Sequence, residues 1–269
     1  MVVGLGEIGG AVLTSLGEKI DTDLALNQTY KLSGVDIDLE KLTEFSVLGY
    51  KTYDFKDMPE ADIYLICVWT YDQIVQVIAK INNLYPDERD HLPLIIIEST
   101  VPPKNIVSLL DYIEYSGLKV AFCPHRLVPY DKTKWVFNIS RVLGCDDKKD
   151  LAEAVAFYTD FMDKPQYIAT TDSKTAIMSK NIENAYRFME IVIAQEFGGS
   201  CDGEMFNWEA VRSAVNTKWN MDLKEAKDGV RGKCLPKEMK AIAEFFKDSP
   251  LYRMMLMLNN EYIERINNG

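Results

Sequence analysis

The residues Gly4-Leu5-Gly6-Glu7-Ile8-Gly9 constrain this chain more than any other stretch. They follow an apolar strand at 1–5 and open an apolar helix at 8–20. Three glycines at this spacing and in this context fit a turn that carries backbone against a phosphate. The first glycine permits the tight turn, the second lets the main chain approach a pyrophosphate, and the third lets helix pack on strand. The helix N-terminus, including the amides of Glu7 and Ile8, adds hydrogen-bond donors and a partial positive charge. A second strand at 30–35 ends in Asp36-Ile37-Asp38. An acid at that tip accepts hydrogen bonds from a ribose diol and repels a 2′-phosphate, which favours NAD over NADP. Asp36 is the first candidate and Asp38 the second. A plain glycine turn followed by a helix-capping aspartate would use the same residues, but loop, strand and acid come in the order a dinucleotide requires.

The first half continues in the same alternation. Strands are predicted at 49–53, 63–69, 94–98, 118–123 and 142–145, and helices at 39–48, 72–84 and 103–116. Near-continuous apolar strands separated by helices imply a parallel sheet covered on both faces. After about Tyr167 the texture changes. Helices are predicted at 172–197, 208–215, 236–246 and 251–266, with no further strand. The expected organisation is a dinucleotide-binding domain over 1–168 and a smaller all-α domain over 169–269, with the boundary somewhere in 164–171.

Composition narrows the function classes. The chain has 30 basic and 41 acidic residues in 269, a net charge of −11, so a nucleic-acid phosphate backbone is a poor partner. No apolar run approaches the ~20 residues of a membrane helix. The N-terminus lacks the basic and apolar regions of a signal peptide. Five cysteines in a chain this long do not suggest a disulfide scaffold, and a reducing, cytoplasmic setting is expected. No metal-ligand set stands out.

Two further features carry chemistry. Lys180 and Asn184 are four apart on the long predicted helix and share a face. Together they can hold and polarise a hydroxyl oxygen, although an isolated Lys-x-x-x-Asn more often lies on a solvated face. Cys234 stands in Gly232-Lys233-Cys234-Leu235-Pro236-Lys237-Glu238. If Pro236 opens a helix, Cys234 lies just before its N-terminus, a position that lowers a thiol's pKa, with Lys233 and Lys237 adding to the effect. A thiolate there can act as a nucleophile. The competing reading is a small buried apolar residue.

At this point the chain resembles the nucleotide-sugar 6-dehydrogenases, the UDP-glucose, UDP-N-acetylmannosamine and GDP-mannose group. The resemblance rests on Val3 to Gly9, Gly34 to Asp38, Glu98-Ser99-Thr100-Val101-Pro102-Pro103 and Cys123-Pro124-His125-Arg126-Leu127-Val128-Pro129. Arg141 to Gly144, Lys180-Asn181-Ile182-Glu183-Asn184 and Gly232 to Glu238 complete it. It implies a Rossmann-like doubly wound parallel sheet followed by a helical domain with one long helix. It also implies NAD, a small-molecule substrate such as a nucleotide sugar, and two successive oxidations of a primary alcohol to a carboxylate. By resemblance, Cys234 attacks the aldehyde to give a thiohemiacetal, and the second hydride transfer leaves a thioester that water hydrolyses. Lys180 and Asn184 orient the substrate oxygen and stabilise the oxyanion. Thr100 positions a water or the lysine near the cofactor. Glu238 stands where the family usually has Asp, and Thr70 lies in a cofactor-contacting loop that more often carries Pro.

Three departures shape the expectations. His125 occupies the position of a family Glu that assists thioester hydrolysis, and His can itself be a general base. Arg231-Gly232-Lys233 replaces a Gly-Gly-Ser or Gly-Gly-His before the cysteine. The chain also stops at Gly269, as a short form without the second Rossmann-like domain that holds the substrate's nucleotide in full-length relatives. Gly198-Gly199-Ser200-Cys201 mimics the family's cysteine loop and is expected in an interhelical turn, but only Cys234 is followed by Pro and Lys. Two alternatives accompany the leading reading. One is a two-electron dehydrogenase of the β-hydroxyacid or 6-phosphogluconate type that uses Lys180 and Asn184 without a cysteine. The other is a non-catalytic dinucleotide-binding protein. A homodimer through the long helix, with its apolar stretch from Ala185 to Ala194, is expected.

Overall fold

The computed structural model describes residues 1–86, 92–126, 136–164, 168–203, 205–225 and 227–268, without the side chains of 202 and 203. Leu127, Val128 and Pro129 of the quoted motif, and 165–167 of the expected boundary, lie outside them. The described residues form two compact units, Met1–Val101 with Asn105–Met178, and Pro102–Lys104 with Ser179–Gly269. The expected division at 168/169 falls at the start of the last strand of the first unit.

The first unit is an eight-stranded sheet with helices on both faces. Its strands are β1 (Val2–Val3), β2 (Ser33–Asp36), β3 (Lys51–Asp54), β4 (Ile63–Ile66), β5 (Leu94–Ile97), β6 (Lys119–Phe122), β7 (Arg141–Gly144) and β8 (Ile168–Thr171). They run in the order β3-β2-β1-β4-β5-β6-β7-β8. All neighbours are parallel except β6 and β7. The helices follow from residues that alternate around them. Val12, Leu13 and Leu16 of α1 (Glu7–Thr22), Leu42 and Phe45 of α3 (Leu39–Val47), and Ala154, Phe157, Tyr158 and Phe161 of α6 (Lys148–Phe161) cover one face. There they meet Val2, Leu65, Ile96 and Ala121. Ile74, Val77, Ile78 and Ile81 of α4 (Tyr71–Leu84) and Ile106 and Leu109 of α5 (Ile106–Ser116) cover the other, against Val3, Ile66, Ile95, Ile97 and Phe122. Strands wet on neither face are apolar throughout, which is why this sheet is legible in the sequence. A short α2 (Leu24–Thr29) follows α1, capped by Asp23.

Register explains where the polar residues meet. Val3 pairs with Val35 and Ile66, Ile66 with Ile97, and Ile97 with Phe122. One residue further on, Asp36, Gly4, Cys67, Glu98 and Cys123 therefore form one row across the carboxyl edge of the sheet. Strand order reverses between β1 and β4, and ligands of open α/β sheets bind outside the carboxyl ends at such a switch.

The second unit is helical. It holds most of α7 (Ser173–Gly203), with α8 (Trp208–Val215), α9 (Cys234–Phe245) and α10 (Pro250–Asn268). Two expectations are corrected here. Gly198-Gly199-Ser200-Cys201 lies inside α7, not in a turn after it. The side-chain-free surface at Gly198 lets Trp208 close in, and a β-carbon there would stand 3.3 Å from the indole nitrogen. This packing offsets the helix-propensity cost of two glycines. Cys234, expected just outside its helix, is its first residue. Pro236 falls in the first turn, where its missing N–H has no partner to lose. Among the described residues no helix is long and apolar enough to cross a membrane.

Candidate functional site

In the first unit the glycine loop is built for close approach. Gly4 has a φ of +91°, which favours glycine, and a β-carbon there would meet the Cys67 carbonyl oxygen at 2.7 Å. One at Gly9 would stand 1.7 Å from the Gly4 carbonyl oxygen, so α1 seats against β1 only through glycine. Gly6 differs. It is the N-cap of α1, exposed, and nothing lies within 4 Å of an added β-carbon. The loop keeps its smallest residue facing open space at a helix N-terminus, beside the exposed Glu7 and half-buried Ile8. This is the cradle that a pyrophosphate would fill. Gly6→Ala at this N-cap is therefore expected to lower the melting temperature by only a few degrees, the cost of a poorer cap with no packing lost. It should nevertheless weaken NAD binding measured by calorimetry, whereas Gly9→Ala should destabilise the fold itself.

The two acids at the tip of β2 have different tasks. Asp36 Oδ2 accepts from the Leu5 amide at 2.5 Å and Oδ1 from the Asp38 amide at 2.9 Å. Each of its oxygens retains a lone pair for a ribose hydroxyl. Asp38 caps α3 by accepting from the Glu40 amide at 2.9 Å. Thr70 is likewise a cap. Its hydroxyl accepts from the Gln73 amide at 3.2 Å, and the Gln73 side chain reaches back to the Thr70 amide at 3.0 Å. Thr70 thus sets the start of α4, after the segment that follows β4. Thr100 is half-buried just after β5.

Beside the loop, the same row contains a buried ionic cluster. Glu98 is 2% exposed, His125 6% and Arg141 0%. Glu98 Oε2 contacts His125 Nδ1 and lies 2.7 Å from Arg141 Nη2. Tyr158 of α6 donates to Glu98 Oε1 at 2.5 Å. Arg141 also donates to Cys123, from Nε to the sulfur at 3.2 Å and from Nη2 to the carbonyl at 3.0 Å. Register accounts for this meeting. Phe122 pairs with Gly144 across the antiparallel β6–β7 pair, and the same register carried three residues on sets His125 opposite Arg141. Burial pushes the Glu98 carboxyl up, but Arg141, then His125 and the Tyr158 hydroxyl, outweigh it and hold it at about 2. Burial raises the thiols of Cys67 and Cys123 and the Tyr158 phenol, so all three stay neutral.

In the second unit the lysine and asparagine join a third residue. Lys180 Nζ donates to Glu183 Oε1 and to Asn184 Oδ1, both at 3.2 Å. Asn184 Nδ2 in turn donates to Glu238 Oε2. Asn184 and Glu238 are buried. Glu238 is one turn along α9 from Cys234, so the exposed thiol and the buried carboxyl share a helix face. The approach to Cys234 is clamped. Asn259 of α10 accepts from the Val230 amide at 2.8 Å and donates to its carbonyl at 3.2 Å. Gly229, with a φ of +74°, sits against Ile263 where a β-carbon would clash at 2.4 Å. Cys201, by contrast, packs in a small apolar cluster with Ala194, Trp208 and Val211.

The sequence reading missed Tyr158, Asn259 and any role for Glu98 and Arg141. For Tyr158 a signal existed: Asp147 caps a helix whose apolar positions 151, 154, 157, 158 and 161 recur at helical spacing. For Asn259 none did, because a polar residue in a mixed helix does not advertise burial.

A doubly wound sheet with a glycine-rich loop at its switch point, followed by a helical unit carrying Lys, Asn and Cys, defines the Rossmann-type dehydrogenase class. Comparison with known proteins narrows it. Residues 174–266 match the central domain of the UDP-glucose/GDP-mannose dehydrogenase family. The chain is 30% identical to the UDP-N-acetyl-D-mannosamine dehydrogenase of Methanococcus vannielii and 31% identical to that of Methanococcus aeolicus, over 97% of its own length and 64% of theirs. The solved structure of a UDP-D-ManNAc dehydrogenase from Pyrococcus horikoshii superposes with a TM-score of 0.77 at 25% identity, over 97% of this chain and 69% of that one. Residues 174–266 thus resemble the central domain of the UDP-glucose/GDP-mannose dehydrogenase family, and the chain as a whole is similar to UDP-N-acetyl-D-mannosamine dehydrogenases. It spans about 64% of the length of these curated relatives.

Proposed function

We propose that this chain oxidises the primary alcohol of a nucleotide sugar, of the UDP-N-acetylhexosamine class, to a carboxylate in two NAD-dependent steps. The carrying observation is the Lys180–Asn184–Glu238 chain with Cys234 one turn from Glu238. The cofactor's fit is supported by the open surface at Gly6 and the spare lone pairs of Asp36. Gly4, Gly6 and Gly9 would hold it with the amides of Glu7 and Ile8, together with Asp36, Thr70 and Thr100. When bound, NAD supplies the hydride acceptor.

The chain's own residues supply the rest. Two of the three Lys180 ammonium hydrogens are engaged by Glu183 and Asn184, and the third would serve a substrate oxygen. Asn184 keeps one amide hydrogen beyond its bond to Glu238. These two donors would stabilise the oxyanion formed when Cys234 sulfur adds to the aldehyde carbon. Glu238 fixes the asparagine so that its oxygen faces the lysine and its nitrogen the substrate side. After the second oxidation the acyl group is a thioester on Cys234, and water releases the carboxylate. A reduced thiol at Cys234 fits a reducing compartment such as the cytoplasm.

UDP-N-acetylmannosamine and UDP-glucose assayed with NAD should give two NADH per sugar. One NADH per substrate, with activity surviving loss of Cys234, would replace this reading by the two-electron one. Binding of NAD with no turnover would leave a dinucleotide-binding protein.

A homodimer through α7 belongs to the same proposal. Ile182, Tyr186, Ile193 and Phe197 are 42%, 58%, 39% and 51% exposed and recur at helical spacing along the unit. Such a stripe is a ready interface. Ile193→Glu is expected to turn a dimer into a monomer at micromolar concentration, read by sedimentation; a wild-type mass of one chain would discard the dimer.

A further inference from the structure

We infer that Asn259 is a positioning residue for the Cys234 thiol: from α10 it holds Val230, the last buried residue before the cysteine, and so sets where α9 begins. The inference rests on the thiol route proposed above, and all of its residues lie in the second unit.

The chain from Asn216 to Lys233, between α8 and α9, has no helix or strand among its described residues, so its backbone groups need partners elsewhere. Its first half is tied to α8. Asn216 Nδ2 donates to the Leu223 carbonyl at 3.0 Å, its Oδ1 accepts from the Leu223 amide at 2.7 Å, and Arg212 donates to the same carbonyl at 3.4 Å. Its second half is tied to α10. Asn259, only 3% exposed, makes the same pair of bonds to Val230. The Tyr262 hydroxyl donates to the Lys227 carbonyl at 3.2 Å, and Asn267 Oδ1 accepts from Arg231 Nη2 at 2.8 Å. Ile263 lies where a β-carbon on Gly229 would fall. Residues 259, 262, 263 and 267 recur at helical spacing, so one face of α10 grips the loop from Lys227 to Arg231.

Past Val230 the chain comes to the surface. Arg231, Gly232, Lys233 and Cys234 are all exposed, and nothing lies within 4 Å of a β-carbon placed on Gly232. Lys233, the N-cap of α9, gives no side-chain bond to the first turn. A helix start is ordinarily fixed by Ser, Thr, Asn or Asp at that place. Here the anchor is Val230, four residues before the thiol, and Asn259 satisfies both of its backbone groups.

An amide suits this task because it donates and accepts at once, as a neighbouring strand would. Alanine would strand a buried N–H and a buried C=O. With Val230 released, residues 231–234 lose their reference point and Cys234 moves off the first turn of α9. The amides and dipole of that turn are what favour a thiolate at a helix N-terminus. A misplacement on the order of 1 Å also costs about a hundredfold in a bond-forming step. Lys180 and Asn184 bond to one another and to Glu183 and Glu238, on α7 and the second turn of α9, away from the loop.

Hydrogen exchange and thiol alkylation test this without turnover. In the wild type the Val230 amide should exchange slowly by NMR, and the rate of an exposed loop amide would overturn the inference before any variant is made. Iodoacetamide at pH 7, read by peptide mass at Cys234, should label Asn259→Ala several-fold more slowly than the wild type, because the thiol is already exposed and loses only its place at the helix terminus. Val211→Ala, which thins the apolar cluster around Trp208, controls for lowered stability and should label at the parental rate. With UDP-N-acetylmannosamine and NAD, Asn259→Ala should keep the first oxidation while formation of the acyl adduct slows on the order of a hundredfold. A merely structural loss would lower both oxidations together. Parental labelling in folded Asn259→Ala, or equal loss of both oxidations, overturns the inference. If Asn259→Ala does not fold, Gly229→Ala displaces the same loop by setting a β-carbon against Ile263, with the same outcomes expected. Because exchange and labelling need no substrate, their failure in an enzyme that gives two NADH per sugar overturns this inference alone. A protein silent on nucleotide sugars overturns it together with the thiol route.

Discussion

Cys234→Ser is expected to stop carboxylate formation, with the second half-reaction falling on the order of a thousandfold or more. A hydroxyl at that site is a far weaker nucleophile than a thiolate, and an alkoxide is a poorer leaving group from the acyl intermediate. In the proposed step the nucleophile is the Cys234 thiol. It is exposed on the first residue of α9, at the positive end of the helix dipole, and Asn259 fixes the loop that leads into it. In the proposed route the first oxidation uses Lys180 and Asn184 and should persist at reduced rate, so NADH per sugar should drop from two towards one. Intact-mass analysis should show loss of the acyl adduct. Cys201→Ser is the control, because that sulfur packs among apolar side chains in α7 and should leave stoichiometry at two. Full two-step turnover in Cys234→Ser would remove the covalent route.

Arg141→Met should destabilise the first unit by roughly 3–5 kcal/mol, the usual cost of stranding one partner of a buried ion pair. Glu98 would be left among Cys67, Cys123, His125 and Tyr158 without its guanidinium partner. Replacing both partners, as Glu98→Gln with Arg141→Met, should recover much of the loss. Acid provides a second view of the same pair. The folded Glu98 titrates at about 2 against an ordinary value of 4.5, so its pKa is depressed on folding. The associated stability is fully present above about 4.5 and is lost as pH falls from there towards 2. It amounts to something on the order of 3 kcal/mol. Urea midpoints measured across that window should slope more steeply in the wild type than in the double variant, where the capping carboxylates Asp54, Asp147 and Asp172 still contribute. A flat wild-type profile would mean the pair contributes nothing to folding.

Much of this was legible before any coordinates. The glycine loop, the acid after β2 and the continuous apolar strands are local signals, since each depends on neighbours within a few residues. Lys180 and Asn184 were legible because helical spacing alone puts them on one face. Their partner Glu238 was reached only by resemblance, since 54 residues separate it from Asn184 and no local pattern links them. The boundaries that shifted did so through tertiary packing. Trp208 against Gly198 carries α7 through a glycine pair, and a first-turn proline lets α9 begin at Cys234. The ionic cluster was the least legible, because it depends on the reversal of β7 against β6. Sequence alone reads a strand at 142–145 but not its direction, and direction is what sets Arg141 opposite His125.

The transverse row at the carboxyl edge has one more consequence. From Asp36 to Glu98 there are three hydrogen-bonded steps, through Gly4 and Cys67. At about 4.8 Å per step, the sheet fixes the backbone positions that carry these two carboxylates about 14 Å apart. The sheet thus works as a ruler whose graduations are strands. Side-chain exchanges can alter what stands at each mark, but only adding or removing a strand changes the distance between them.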